Sequence, residues 1–131
     1  MSARHVAIVA PRFAGALQAG RKRIETRFSM TRRAPFGRVH RGDIIYFKPV
    51  GGPVIGRAPA ARVVTYEQLT PARIDSIRQR HNHAILAPDA YWRSHRLSRY
   101  GVLIWLGRFS PRVPPLAIPR QFGSGWIILS R

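Results

Sequence analysis

Cysteine is absent from this chain, which removes disulfides, cysteine-based zinc sites and thiol nucleophiles at once. A cysteine-free chain suits a reducing compartment, and a cytoplasmic location is the expectation. No stretch of 18 or more apolar residues occurs, so no transmembrane helix and no membrane partner are expected. Acids are scarce: 5 Asp+Glu stand against 23 Lys+Arg, giving a net charge of +18. Lysine is nearly missing too, since only Lys22 and Lys48 are lysines and every other basic residue is arginine. Arginine grips phosphate with a planar fork and stacks on bases, whereas lysine is closer to a point charge. GC-rich codon usage accounts for arginine over lysine but not for the shortage of acids. A cationic surface of this size calls for a polyanion, with RNA or single-stranded DNA as the expected partner.

The length of 131 residues suits one domain, taken as 1–131, and a 45% hydrophobic fraction supports a packed core. There is no Ser/Gly linker and no repeat. Residues 1–24 are acid-free and contain arginine, as in a transit peptide. Yet His5–Ala10 reads as a buried strand, and Pro11, Phe13, Ala14, Leu17 and Gly20 read as a short helix with its stop. From Lys22 to Phe28 the pattern alternates, with Ile24, Thr26 and Phe28 on one face and Arg23, Glu25 and Arg27 on the other. Residues 29–41 form a basic loop, and Gly42-Asp43 turns into a strand over 44–48. Residues 54–65 are strand-like, with Gly56 and Pro59 suggesting a bulge or an edge. Thr70-Pro71 starts a helix, and a second helix begins at Pro88-Asp89. Tyr100–Phe109 and Gly125–Ser130 are strands, joined by a proline-rich irregular crossing. The expected fold is α+β, mostly β: a small mixed barrel of five or six strands with two or three short flanking helices.

The segment Ala19-Gly-Arg-Lys-Arg-Ile-Glu-Thr-Arg27, followed by Arg41-Gly42-Asp43 at a strand start and Val54-Ile-Gly-Arg57, resembles the ASCH domain family of the PUA-like superfamily. The resemblance spans about His5 to Leu129. It implies a PUA-like barrel that binds RNA or a modified nucleotide in a cleft beside the barrel. Some members are hydrolases or nucleases. The amidohydrolase branch carries a Lys, a Thr three residues later and a later Glu. Lys22 matches the first position, but Glu25 stands at the second, and Glu67, Asp75 and Asp89 are poor fits to the third. A carboxylate in place of the hydroxyl removes that mechanism as it stands, so deacylation of N4-acetylcytidine is not expected.

Lys22, Glu25 and Arg27 form the sharpest cluster. Such a trio can grip a phosphate or sugar and present one carboxylate as a base. Positions 22 and 25 face opposite sides of an ideal strand, so a joint site needs Lys22 in the preceding turn. The plain structural alternative for Glu25 is an ion pair with a neighbouring arginine. Tyr91, Trp92, Arg93, Arg96 and Arg99 interleave rings and guanidinium groups, as single-stranded nucleic acid requires. Trp92 and Tyr91 could equally close the core, as Trp105 is expected to do. Arg21, Lys22, Arg23, Arg27, Arg32 and Arg33 complete the expected nucleic-acid contacts. His81-Asn-His83 invites a metal, but no third ligand is evident, and neither metal nor cofactor is expected. Asp43 is expected to bond backbone amides in its turn. The leading functional reading is a nucleic-acid-binding module. The alternative is a nuclease or nucleotide hydrolase using Lys22, Glu25 and Arg27, with Glu25 as general base. Oligomeric state leaves no trace in the pattern.

Overall fold

The computed structural model describes residues 2–120 and 125–130. Its elements in chain order are β1 (Arg4–Val9), α1 (Phe13–Gln18), β2 (Ile24–Ser29), β3 (Ile44–Pro49), β4 (Gly56–Tyr66), α2 (Pro71–Ile85), α3 (Asp89–Ser94), β5 (Tyr100–Leu106) and β6 (Trp126–Ser130). The six strands form one mixed sheet in the order β2-β5-β4-β3-β1-β6. Only β1 and β3 run parallel. The fold is thus a small α+β domain with three short helices. Among the described residues, no helix is long and apolar enough to cross a membrane.

The helices begin and end where local chemistry dictates. The Thr70 hydroxyl accepts from the Arg73 amide at 3.2 Å and Pro71 takes the first position, so α2 starts cleanly. Gly20 adopts φ +73° just past α1, a conformation that glycine reaches without strain.

β4 is the spine of the sheet. Its first residues, from Gly56 to Pro59, pair with β3, and the stretch from Ala60 to Tyr66 pairs with β5. The irregularity expected at Gly56 or Pro59 falls instead between Ala60 and Arg62. Gly56 serves a different purpose: a Cβ there would collide with the Phe109 ring and the Ser110 carbonyl.

The sheet curls around a core that draws on nearly every strand, including Ala7, Ile45, Phe47, Ala58, Val102, Ile104 and Trp126. Outside the curl, α2 and α3 cover Ile24, Phe28 and Leu103. The proline-rich segment brings Val113, Leu116 and Ile118 over Val6, Tyr46 and Ile127. The curl does not close into the expected barrel, because β2 and β6 are edges with no ladder between them. Across that seam the Arg27 guanidinium of β2 donates to the Ile8 carbonyl at 2.9 Å and to the Gly125 carbonyl at 3.0 Å. A side chain takes the place of a backbone ladder.

Candidate nucleic-acid interface at the open seam

The alternation of β2 decides what faces the seam. Glu25 lies opposite Ile104 and Arg27 opposite Val102, and both of those partners point into the curl. Glu25 and Arg27 therefore face inward on an edge strand, where a closed barrel would have buried an apolar residue. Thr26 faces the other way, toward α3. The unclosed seam leaves a cleft of about 760 Å³ whose floor includes Glu25, Arg27 and Trp126.

Glu25 is 5% exposed. One of its carboxylate oxygens accepts from the Thr26 amide at 3.0 Å, and the other from Arg27 at 3.4 Å. Lys22 lies in the turn before β2, as a joint cluster requires, with its ammonium 3.8 Å from Glu25. Yet Lys22 does not line the cleft. Its ammonium donates to the Ile85 carbonyl at 2.7 Å and the Ile24 carbonyl at 3.1 Å, and sits 4.5 Å from the centre of the Phe13 ring. Burial pulls its pKa below the ordinary lysine value, against the opposing charge of Glu25. Lys22 ties the end of α2 to the start of β2 and backs Glu25 from behind.

The second wall is α3. The Tyr91 hydroxyl donates to the Thr26 carbonyl at 3.3 Å and lies 2.8 Å from the Thr26 hydroxyl. Burial pushes the Tyr91 phenol up to about 12, so it remains a neutral donor. His95 stacks beside Tyr91 with ring centroids 4.4 Å apart and also lines the cleft. Burial, then the Arg27 charge, pulls His95 below its ordinary value of 6.5. The unfolded chain therefore takes up this proton at a higher pH than the fold does. Stability from His95 is complete above pH 6.5 and lost as the pH falls through the folded value. The expected result is a melting temperature that drops between pH 7.5 and 5.5, with a smaller drop in His95→Gln. Equal drops in the two proteins would refute a role for His95.

The mouth combines charge with apolar surface. Arg12 and Arg33 line it, as do Met30 and Leu97, which are 61% and 71% exposed. Tyr100 lies there too, with Arg32 5.4 Å from its ring centre. All five Asp and Glu side chains already have partners: Glu25 with Lys22 and Arg27, Asp43 with His5, Glu67 with Arg32, Asp75 with Arg96, and Asp89 with Arg78. No acid is left to pair with Arg12 or Arg33 among the described residues.

Of the expected contacts, Glu25, Arg27, Arg33 and Tyr91 meet in this cleft. Arg21, Arg23, Arg93 and Arg99 are exposed but do not line it, and Arg32 and Arg96 are engaged by Glu67 and Asp75. Trp92 takes the core alternative. It is 3% exposed and packs against Phe28 and Tyr91, so its faces are not open for stacking. Sequence reasoning did not single out Arg12, His95 or Trp126, which only the folded seam brings together. Among the described residues no group of three metal-ligating side chains occurs.

A six-stranded mixed sheet, open at one seam and flanked by three short helices, defines a small α+β fold. More particularly, the chain has an ASCH-like fold. It superposes on the ASCH protein from Zymomonas mobilis with a TM-score of 0.63 at 20% identity, covering 82% of this chain and 69% of that one. A mutant form of the Zymomonas mobilis protein gives a TM-score of 0.72 at 18% identity, covering 98% of this chain and 91% of that one. No protein-family model and no curated protein matches the sequence.

Proposed function

We propose that the protein binds single-stranded RNA and seats one unstacked nucleotide in the seam cleft. The observation that carries this reading is a buried carboxylate, Glu25, paired with the partly exposed guanidinium of Arg27 at the floor of a cleft with an apolar, arginine-bearing mouth. A base plane fits against Met30, Leu97 and Tyr100. Its polar edge meets Glu25 as acceptor and Arg27 as donor, the pairing logic by which side chains read bases. Arg12 and Arg33 lie where phosphates would pass. The ASCH-like fold supports the same reading.

The test is a titration of labelled single-stranded RNA at several salt concentrations, with Glu25→Gln alongside. Affinity should fall with salt, each phosphate contact adding roughly 0.7 to the log–log slope. Glu25→Gln should bind about 10–100-fold more weakly, as expected for losing a hydrogen bond to a charged group. Salt-independent binding, or unchanged affinity in Glu25→Gln, would sink the proposal. The same gels report cleavage. RNA fragments formed by the wild type and absent with Glu25→Gln would replace binding by hydrolysis, with Glu25 as base.

A further inference from the structure

The His81-Asn-His83 pair lies in a cationic and aromatic cluster away from the cleft. Arg62 of β4 and Trp105 of β5 are direct cross-strand partners, and the Arg62 guanidinium sits 4.7 Å from the centre of the Trp105 ring. His81 of α2 meets the same ring edge-on at 5.4 Å. Arg80 and His83 are exposed beside it on α2, and both act electrostatically on His81, as Arg62 does. Arg62 and His81 meet the tryptophan ring itself, and Arg80 and His83 lie exposed near them on α2. None of the four pairs with a carboxylate among the described residues, because every Asp and Glu side chain is engaged elsewhere. An arginine held over an aromatic ring loses little further freedom when it grips a phosphate.

The cluster also stands in a definite relation to the cleft. Tyr100, Gly101 and Val102 of β5 line the cleft, and neither Trp105 nor Arg62 does. Five residues of strand separate Tyr100 from Trp105, a span of about 17 Å. That span is too long for one nucleotide, and because Trp105 faces the α2 side of the sheet, a strand of several nucleotides reaches both sites by rounding the β2 edge.

We infer that Arg62 and His81, held against Trp105, together with the exposed Arg80 and His83 of α2, form a second phosphate-binding station. It holds the backbone of the RNA strand whose nucleotide enters the cleft. The polyanion is RNA on the strength of the proposed function. The station itself stands on the geometry of the cluster. His81 is held below its ordinary pKa by burial and then by its cationic neighbours, and an incoming phosphate reverses that repulsion.

The experiment compares the full-length wild type with the double variant Arg62→Gln/Arg80→Gln, both changes lying on exposed side chains. Each is titrated with a dinucleotide, which fills only the cleft, and with a 12-nucleotide single strand. The expected result is unchanged dinucleotide affinity and roughly tenfold weaker binding of the longer strand. The salt slope for the longer strand should be smaller by about 1.4, two single-strand phosphate contacts. An NMR titration should show the His81 pKa rising when the longer strand binds and staying fixed with the dinucleotide. Equal affinity of wild type and variant for the longer strand would overturn the station. So would equal weakening toward both ligands, which would place these arginines in the cleft or in the fold. If the wild type binds only the longer strand, and does so through Arg62 and Arg80, the cleft proposal fails and the station survives. If it binds neither RNA, both fail.

Discussion

Replacing His5 by alanine should lower the unfolding free energy by about 3–5 kcal/mol, the scale for removing a hydrogen-bond donor from a buried carboxylate and leaving a void in the core. At roughly 3–5 °C per kcal/mol for a chain of this size, the melting temperature should fall on the order of 10–20 °C. His5 is fully buried and connects Asp43 to Trp126. Its Nε2 lies 2.8 Å from the Asp43 carboxylate, and its Nδ1 accepts from the Trp126 indole at 3.0 Å. An indole N–H can only donate. Nδ1 must therefore be the acceptor, and Nε2 carries the proton given to Asp43. Asp43 also accepts from the amides of Ala3 and His40, both at 2.9 Å, as its turn position leads one to expect. Burial pushes its carboxyl up, but the hydrogen bonds from His5, Ala3 and His40 outweigh that and hold it below the ordinary value.

Alanine at position 5 would leave both the carboxylate and the indole without their shared partner, beside a void. Asp43→Asn should cost less, about 1–3 kcal/mol, because an amide oxygen still accepts from backbone N–H groups. Denaturant unfolding of both variants checks the order. A His5→Ala protein within 1 kcal/mol of wild type would mean that the chain of bonds from Asp43 to Trp126 holds nothing. Trp126 lines the cleft, so the same substitution should also weaken RNA binding by loosening its floor.

This relay shows where the sequence speaks and where it does not. The period-two pattern of residues 22–28 already separates Glu25 and Arg27 from Ile24, Thr26 and Phe28, because strand alternation is a local property. Thr70-Pro71 marks its helix for the same reason, since a cap acts within one turn, and Pro88-Asp89 marks α3 through a fixed proline φ and an acid in the first turn. The Asp43 turn was legible, but its link to His5 and onward to Trp126 was not, since those residues are 38 and 121 positions away from their partners along the chain. Trp92 and Lys22 were open to a binding role because both types often serve one. What decides against it is burial, which depends on how α3 and α2 pack on β2. The open seam was likewise out of reach. A six-strand pattern reads the same whether β2 and β6 pair or not.

Arg27 joins the fold to the cleft, and its replacement should move both. Arg27→Ala removes the donors to Ile8 and Gly125 and the partner of Glu25, while its guanidinium also lies 5.2 Å from the centre of the Trp126 ring. Gly125 accommodates this arrangement, since a Cβ there would press on the guanidinium at 2.8 Å. Hydrogen bonds from charged donors contribute about 1.5–3 kcal/mol each and are not additive. A loss of about 2–4 kcal/mol is therefore expected, together with an RNA affinity about 100-fold weaker. Arg27→Lys separates the two roles. An ammonium keeps the charge but cannot span two carbonyls and a carboxylate with one fork. The salt slope should return to within about 1 of the wild type, while stability and affinity remain well below it. Urea unfolding and RNA titration of the same preparations give both readouts. Wild-type stability in Arg27→Ala would show that the seam is held by something other than this side chain. Wild-type affinity in the destabilised variant would show that RNA does not reach the cleft floor. If lysine restores everything, the guanidinium acts as charge alone, and the unclosed edge between β2 and β6 needs no fork to bridge it.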